Sequence, residues 1–408
     1  MSQSNENFME LINKKNFSVD GDQILKLAQE LIRFPSFTYK ESEVAHYLYK
    51  YLKEFGLECE LQKVQLPGNC ETNQVITRLK GSRPGKKALL CGHLDVLDVH
   101  RRELWTNEPF DPKISDGWLY GHGSLNMKAG IAALIGAITA IKNLGTDFSG
   151  EIVLANVAAE IIGGNGINYF LSTENNFDYS IVAEPTNLCI SNISVGTCQG
   201  VVRFWGNTHY YKPHTNSIYI MSKFIEEVGP SYLHLKPDKW MTYTPCDELP
   251  GFPRFNIRSI QSGQDYCEIF FDARIVPGQN NSTIMADLLE ISEKIESRYP
   301  DVRTEIIIPK TNEFFNFPAI TATCSDLPFI KELVDNHKEI VGKLPIVSSG
   351  DRIGLASDAS HIKARGIPAV DYGPGFHPHW PLLDERIRIE DILISSEVIY
   401  RTIKKIHA

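Results

Sequence analysis

The sequence predicts an α/β fold in which a mostly parallel sheet is covered by helices and a smaller α+β domain is inserted. Strand and helix patterns alternate over roughly the first 160 residues, which is typical of parallel sheets. The pattern changes to alternating strands with two helices after about residue 188, and the α/β pattern returns near residue 309. At 408 residues the chain is too long for one ordinary core. We therefore expect one domain in residues 1–188 and 309–408, and the insert in 189–308.

The individual elements follow from hydrophobic period and flanking residues. An amphipathic helix is predicted over 22–34, with Asp22 as its cap and Pro35 at its end. The Ala-rich run at 127–145 is typical of a buried helix that ends in glycine. The remaining predicted helices are 40–55, 217–228, 282–298, 326–341 and 388–406, and the predicted strands are 57–64, 73–80, 87–91, 151–159, 178–184, VGTCQGVVRFWG, YCEIFFDARI and IPAVDYG.

Charge and composition argue against several classes of partner. A net charge of -9 and a pI near 5.8 do not favour nucleic acid or an anionic membrane, because either would select a basic surface. No apolar run approaches the roughly 20 residues of a membrane span, and the polar start lacks a signal-peptide segment. A cytoplasmic location is therefore expected. The 8 cysteines are scattered without framework spacing, which predicts free thiols.

Residues that can carry chemistry concentrate in CGHLDVLDVHRRELWTNEPFDPKISDGWLYGHGSLNMKAG, at 91–130. His93 and Asp95 lie two residues apart at the end of a predicted strand. In such a pair one imidazole nitrogen can bind a metal while the carboxylate orients the ring. The alternative interpretation is that His93 and Asp95 form a hydrogen-bonded pair with a structural role only. The motifs GHG, NMKAG, AEIIGGNG and AEPT follow in order, each at a strand end, and this order favours a functional site.

The ordered motifs resemble a known enzyme family over about residues 22–405. GHLDV, W-x(3)-PF, DGWLYGHG-x(3)-MK, E-x-x-GGNG, EPT, GIPAVDYGPG and DERIRIEDI are similar to blocks of the two-zinc metallopeptidase and deacetylase family. That family contains acetylornithine deacetylase, succinyl-diaminopimelate desuccinylase, aminoacylase and glutamate carboxypeptidase. The resemblance implies a catalytic α/β domain, an inserted lid or dimerisation domain, a homodimer and a small amino-acid-like substrate.

The resemblance assigns catalytic and metal-binding roles to matching positions. His93 and Glu184 correspond to ligands of one zinc ion, and Asp95 to the carboxylate that orients this histidine. Glu160 corresponds to the general base that takes a proton from metal-bound water. His209, in the predicted lid, corresponds to the histidine that reaches the partner's active site and stabilises the oxyanion.

Substrate-binding residues are implied in the same way. Arg274 in FFDAR corresponds to an arginine that holds the substrate carboxylate through the bidentate geometry of guanidinium. Asn126 in NMKAG and Gly375 in GIPAVDYGPG are assigned to substrate binding together with Arg274. An ion pair between Arg274 and Asp272 is the simpler alternative.

The chain departs from the family at the metal ligands. Asn126 replaces the aspartate that bridges both metals, Ile161 replaces a glutamate ligand, and Pro381 occupies the place of the C-terminal histidine ligand. Two divalent ions close together repel strongly and need the bridging anion. A dinuclear zinc centre is therefore not expected.

The remaining donors leave two possibilities, no metal or one zinc ion. A single zinc on His93, Glu184 and the Asn126 carbonyl would lack a third strong ligand. His379, which like His377 is out of register with the family motif, is a possible extra donor. Cys91 and His122, which lie beside the motifs, are the other candidates.

Three functions remain open from the sequence. The first in rank is an enzyme that acts on an amide-containing, amino-acid-derived substrate in a metal-poor or metal-free site, with Glu160 as general acid or base. Its reaction could be non-hydrolytic: cyclisation, condensation or acyl transfer. The second is a mononuclear zinc hydrolase of N-acyl amino acids or small peptides. The third is a non-catalytic binding or dimerisation protein. For Glu160 itself, the alternative to catalysis is a buried acid tied to backbone amides.

Overall fold

The computed structural model describes residues 17–206, 216–229, 240–242, 249, 251–309, 316–348, 356–376 and 383–408. These residues form two compact units. The first contains the described residues up to Asn192, Ala322–Ser348 and those from Ser357 onward. The second contains the described residues from Ile193 to Thr321, together with Ala356.

Strands and helices alternate along the chain much as the sequence predicts. The strands are β1 (Glu58–Leu66), β2 (Cys70–Lys80), β3 (Arg83–His93), β4 (Lys113–Ser115), β5 (Trp118–Tyr120), β6 (Ser149–Val157), β7 (Tyr179–Val182), β8 (Ile190–Ser191), β9 (Gly196–Trp205), β10 (Arg254–Ser262), β11 (Tyr266–Ile275), β12 (Arg303–Ile307), β13 (Val347–Ser348), β14 (Ala369–Asp371) and β15 (Arg386–Arg388). The helices are α1 (Gly21–Ile32), α2 (Ser42–Glu54), α3 (Ala129–Asn143), α4 (Asn165–Thr173), α5 (Ser217–Val228), α6 (Asn281–Arg298), α7 (Pro328–Val341), α8 (Asp358–Ala364) and α9 (Ile389–Ile406).

An eight-stranded mixed sheet forms the centre of the first unit, in the order β1-β2-β6-β3-β7-β14-β8-β13. The neighbours β6, β3, β7 and β14 run parallel to one another. β1 and β2 extend this parallel centre with antiparallel pairs, and β8 pairs antiparallel with β14. The α/β class predicted from the sequence is confirmed, with an antiparallel edge added to the parallel strands.

Helix α3 is the core helix of the first unit. Every residue from Ala129 to Ile141 is buried, and α1 and α9 pack against the helix. A Cβ atom on Gly136 would lie 2.5 Å from the Ile24 side chain, so glycine is needed where α1 approaches. The segment Ser124–Asn143 is long and apolar enough to span a membrane, but 94% of its apolar window is buried inside the protein, as in a core helix. The cytoplasmic location stays a prediction.

The start of α1 differs from the prediction. Asp20, not Asp22, is the N-cap, and its carboxylate accepts a hydrogen bond from Gln23 N at 3.0 Å. Asp22 lies inside the first turn, where a negative charge still interacts favourably with the helix dipole. The two aspartates are two residues apart, so the local pattern did not distinguish cap from first turn.

The second unit is built on a four-stranded antiparallel sheet in the order β10-β11-β9-β12. Helices α5 and α6 pack on it around an apolar core that includes Phe204, Phe224 and Phe271. This α+β unit continues beyond the predicted limit of residue 308. Isolated bridges join Ser194 to Ile320 and Thr197 to Phe317. Residues 317–320 therefore lie beside the chain that forms β9 of this sheet.

Candidate functional site

The carboxyl ends of three adjacent parallel strands bring the predicted site residues together. β3 ends at His93, β6 ends three residues before Glu160, and β7 ends two residues before Glu184. Because these strands are parallel neighbours, their ends lie at one edge of the sheet, which is where α/β sheets bind ligands. The exposed fractions of the three residues are only 1%, 4% and 3%.

The imidazole of His93 faces oxygen atoms with both of its nitrogens. Nδ1 lies 2.9 Å from the main-chain oxygen of Asp95 and 3.4 Å from Asp95 Oδ1. Nε2 lies 2.8 Å from Asn126 Oδ1 and 3.8 Å from Glu184 Oε1. Because the main-chain oxygen of Asp95 only accepts hydrogen bonds, Nδ1 donates to it, and Nε2 lies within hydrogen-bond distance of the Asn126 side-chain amide. Burial lowers the pKa of His93, but Asp95 and the charges of Glu160 and Glu184 raise it well above the usual value overall.

The Asp95 carboxylate contacts more than the His93 ring. It accepts hydrogen bonds from the main-chain N–H groups of Glu160 and Ile161, each at 3.1 Å, and from the Thr38 hydroxyl at 3.0 Å. Burial raises its pKa, but His93 and the two N–H groups lower it further, so the pKa lies below the usual value. Asp95 therefore joins the His93 ring to the turn that carries Glu160.

The Glu160 turn is closed by its own main chain. The Glu160 carbonyl accepts hydrogen bonds from Gly163 N at 2.8 Å and Gly164 N at 3.0 Å. Burial is the main cause that raises the pKa of Glu160 well above its usual value; His93 opposes this effect, and the charge of Glu184 adds to it. A carboxyl group that keeps its proton closer to neutral pH is suited to general acid–base chemistry.

Asn126 is held towards His93 by a turn that Glu385 supports. Glu385 Oε1 accepts hydrogen bonds from Leu125 N at 2.9 Å and Asn126 N at 3.2 Å, and Oε2 accepts one from Gly123 N at 2.8 Å. Oε2 also lies 3.0 Å from His122 Nδ1. Burial raises the pKa of Glu385, but His122 and these N–H groups lower it more, so the buried carboxylate stays charged.

Two further buried carboxylates lie around the site and were missed by the sequence analysis. Asp358, the first residue of α8, accepts a hydrogen bond from the Cys91 thiol with Oδ2 at 3.8 Å. Burial is the main cause that raises its pKa well above the usual value, and Glu184 adds to the shift against the opposing charge of His93. Glu41, the N-cap residue of α2, is fully buried. The sequence Ser357-Asp358-Ala359 at the start of a short helix was only a weak signal for Asp358. No local pattern in the sequence pointed to Glu41.

The possible extra metal donors are not equally available. In His122, Nε2 lies 2.7 Å from the main-chain oxygen of Leu97, and Nδ1 lies 3.0 Å from Glu385 Oε2. Burial, together with Asp358, raises the pKa of the Cys91 thiol well above its usual value, which disfavours the thiolate that binds metals. His379, His377, His209 and Pro381 lie outside the described residues.

Arg274 and Gly375 are both engaged within the protein. Arg274 Nε donates to Asp272 Oδ1 at 3.0 Å and Arg274 Nη2 donates to Oδ2 at 3.2 Å, which is a bidentate ion pair in the second unit. The Gly375 carbonyl, in the first unit, accepts a hydrogen bond from Asn187 N at 2.6 Å. Gly375 has a φ of +80°, and a Cβ there would lie 2.3 Å from the Leu125 side chain. Substrate binding by either residue stays a prediction.

Comparison with known proteins places these features in a family. The profile of peptidase family M20/M25/M40 matches residues 89–405. The chain is 23% identical to an N-formyl-4-amino-5-aminomethyl-2-methylpyrimidine deformylase of Bacillus subtilis, over 95% of each chain. It is 24% identical to a succinyl-diaminopimelate desuccinylase of Magnetococcus marinus, over 93% of this chain and 97% of that one.

A solved structure agrees with the fold. A dinuclear metal binding peptidase of the M20 family from Bacillus subtilis superimposes with a TM-score of 0.65 at 14% identity, over 94% of this chain and 97% of that one. The family profile covers more than half of the sequence, and the predicted resemblance is thereby confirmed. The chain belongs to peptidase family M20/M25/M40.

Proposed function

We propose that this protein is an enzyme that acts on the amide bond of a small amino-acid-derived substrate, with Glu160 as general acid or base and without a dinuclear metal centre. One observation carries the proposal. Glu160 is buried beside His93 and Glu184 on a turn fixed by Asp95, and Asn126 and Ile161 stand where the family resemblance implies two carboxylate ligands. These positions support a site that keeps the proposed acid or base but has less negative charge to hold metal ions.

The donor atoms do not fit two metal ions. Asn126 offers a neutral amide oxygen where two cations would need a bridging anion, and Ile161 offers no donor atom at all. The Nε2 atom of His93, which would bind a metal, lies 2.8 Å from Asn126 Oδ1, within hydrogen-bond distance.

Proton transfer by Glu160 is the chemical step that the site supports. Glu160 accepts a proton from the attacking group, either water or a nucleophile of the substrate, as that group adds to the amide carbon. It then gives the proton to the leaving nitrogen when the carbon–nitrogen bond breaks. Glu160 is charged before the first step and again after the second, and a positive charge on His93 favours this form because opposite charges in a buried site attract strongly.

A mononuclear zinc hydrolase is the second candidate function. Asn126 Oδ1 and Glu184 Oε1 both approach His93 Nε2, at 2.8 and 3.8 Å, so three donor atoms converge on one point. After loss of the Nε2 proton, these three residues could hold one zinc ion. A bound zinc ion would act as a Lewis acid and lower the pKa of a coordinated water.

The substrate class is inferred from the named relatives. The names of the deformylase and the desuccinylase both describe removal of an acyl group. We therefore propose an N-acyl compound of small size as substrate, formyl and succinyl groups being the first to test. Arg274 and His209 remain the proposed residues for carboxylate binding and oxyanion stabilisation, and the homodimer implied by the family remains part of this proposal.

An activity assay with and without chelator tests the proposal. The protein, freed of metal by a chelator, is incubated with N-formyl and N-succinyl amino acids and with dipeptides, and the products are identified by mass spectrometry with and without an added amine acceptor. We expect acyl transfer to the amine or to water at a rate that the chelator does not lower. Turnover that appears only after zinc is restored would reject the metal-free reaction and favour the mononuclear hydrolase.

A further inference from the structure

The turn that carries Glu160 is held by two carboxylates from distant parts of the chain. The N–H groups of Ala159, Glu160 and Ile161 each donate a hydrogen bond at 3.1 Å to a buried carboxylate oxygen. Asp95 accepts two of these bonds, and Glu41 accepts the bond from Ala159 with Oε1. Three consecutive main-chain donors are thereby fixed, so the direction in which the Glu160 side chain leaves the turn is also fixed.

Ala159 has a conformation that requires this support. Its φ is +56°, in the left-handed region where the Cβ of an alanine approaches the main chain unfavourably. Such strain persists only where the surroundings over-determine the backbone, and it is common at functional sites. The Ala159 carbonyl is also engaged, because it accepts a hydrogen bond from Asn165 N at 3.1 Å. Relaxation of Ala159 to a negative φ would reorient the next residue, Glu160.

A short stretch before α2, residues 36–41, supplies this support and is here called the clamp segment. Ser36 Oγ donates to the Leu94 carbonyl at 2.7 Å, and Thr38 Oγ1 donates to Asp95 Oδ2 at 3.0 Å. The segment ends at Glu41, whose carboxylate reaches Ala159 across 118 positions of sequence. The clamp segment thus provides the carboxylate of Glu41, and through Thr38 it also holds the carboxylate of Asp95.

We infer that Glu41 is a positioning residue for Glu160: its Oε1 atom holds Ala159 in the left-handed conformation and thereby sets the direction of the Glu160 side chain. The inference rests on the proposed role of Glu160 as general acid or base. Fold stability alone does not explain a carboxylate in this place. Burial and the nearby charge of Asp95 raise the pKa of Glu41 to about 7, so both oppose the charged form.

Glu41→Met tests the inference, because methionine has a similar size and cannot accept the hydrogen bond from Ala159. We expect kcat to fall about 10-fold to 100-fold, as small misplacements of catalytic groups do, with KM unchanged. Glu41→Gln keeps a carbonyl oxygen and should retain most of the activity. Glu43→Met, a replacement of the exposed acid two residues along, is the matched control and should behave as the wild type.

The strain at Ala159 allows a rescue experiment. Glycine adopts a positive φ without the Cβ penalty, so Glu41→Met combined with Ala159→Gly should recover a large part of the lost kcat. A purely structural residue predicts a different pattern, in which the melting temperature falls with kcat and Ala159→Gly restores neither. That pattern would overturn the inference.

Amide hydrogen exchange of a peptide covering residues 157–166 gives a readout that needs no substrate. Glu41→Met should accelerate exchange in this peptide and leave exchange in helix α1 unchanged. Unchanged exchange at 157–166 would overturn the inference whatever the activity. Faster exchange in a protein for which no wild-type turnover is found would support the contact of Glu41 with the turn and reject the proposed function, so the two failures are distinguishable.

Discussion

Glu160→Gln should lower kcat by about 10²-fold to 10⁴-fold, because the amide cannot take up or return a proton and general acid–base catalysis contributes a factor of this size. Substrate affinity should change little, since the replacement keeps the size and the hydrogen-bonding oxygen of the side chain. Stability should not fall, because burial raises the pKa of Glu160 and a neutral side chain relieves that penalty. Steady-state kinetics and a thermal unfolding scan measure both quantities.

The matched control for this variant is Glu43→Gln, which makes the same chemical change at an exposed position in the first turn of α2. The control should retain full activity. If Glu160→Gln turned over the substrate at the wild-type rate, Glu160 would not be the acid or base of the reaction. Glu184 and Asp358, two other buried carboxylates near His93, would then be the next candidates for the proton transfer.

Glu385→Ala should lower the free energy of unfolding by at least about 3 kcal/mol, because the N–H groups of Gly123, Leu125 and Asn126 lose their acceptor in a buried turn and each unsatisfied donor costs about 1–3 kcal/mol. The variant also removes the carboxylate oxygen that lies 3.0 Å from His122 Nδ1. Urea denaturation at neutral pH measures the loss. Glu58→Ala is the control, because the exposed pair of Glu58 with Lys80 contributes at most about 1 kcal/mol.

The stabilisation by Glu385 should depend on pH in a defined direction. The folded-state pKa of Glu385 lies below its usual value of 4.5, so the unfolded chain binds a proton at this group more readily than the folded protein does. The contribution is therefore fully present above pH 4.5 and is lost as the pH falls through the lower folded-state pKa. The difference in unfolding free energy between wild type and Glu385→Ala should shrink in acid. An equal difference at pH 7 and in acid would show that the charge of Glu385 does not act in this way.

Local patterns were sufficient for most of the fold. The period of apolar residues predicted the helix at 217–228 and the strand in YCEIFFDARI with the bounds that the structure has. The same patterns located the strand ends that carry His93 and Glu160, because a buried strand followed by a polar motif is visible in a short window. The cap of α1 was misplaced from Asp20 to Asp22, since both residues suit the start of a helix.

The contacts that shape the site could not be read in the same way. Glu41 reaches Ala159 across 118 positions, Asp358 reaches Cys91 across 267, and Glu385 reaches Leu125 across 260. No short window contains both members of such a pair, and an acidic residue before a helix is ordinarily interpreted as a surface or capping residue. The sequence therefore predicted Glu160 as the candidate acid or base, whereas the groups that hold its turn in place required the packed structure.

Zinc content of the purified protein, measured by elemental mass spectrometry before and after incubation with excess zinc, tests the central claim most directly. Neither Asn126 nor Ile161 offers the carboxylate that the family resemblance implies at its position, and the proposal therefore predicts at most one zinc ion per chain, even after the incubation. If one ion is found, it should be lost in Glu184→Gln. Two zinc ions per chain would contradict the claim and would show that other donors replace the two lost carboxylates.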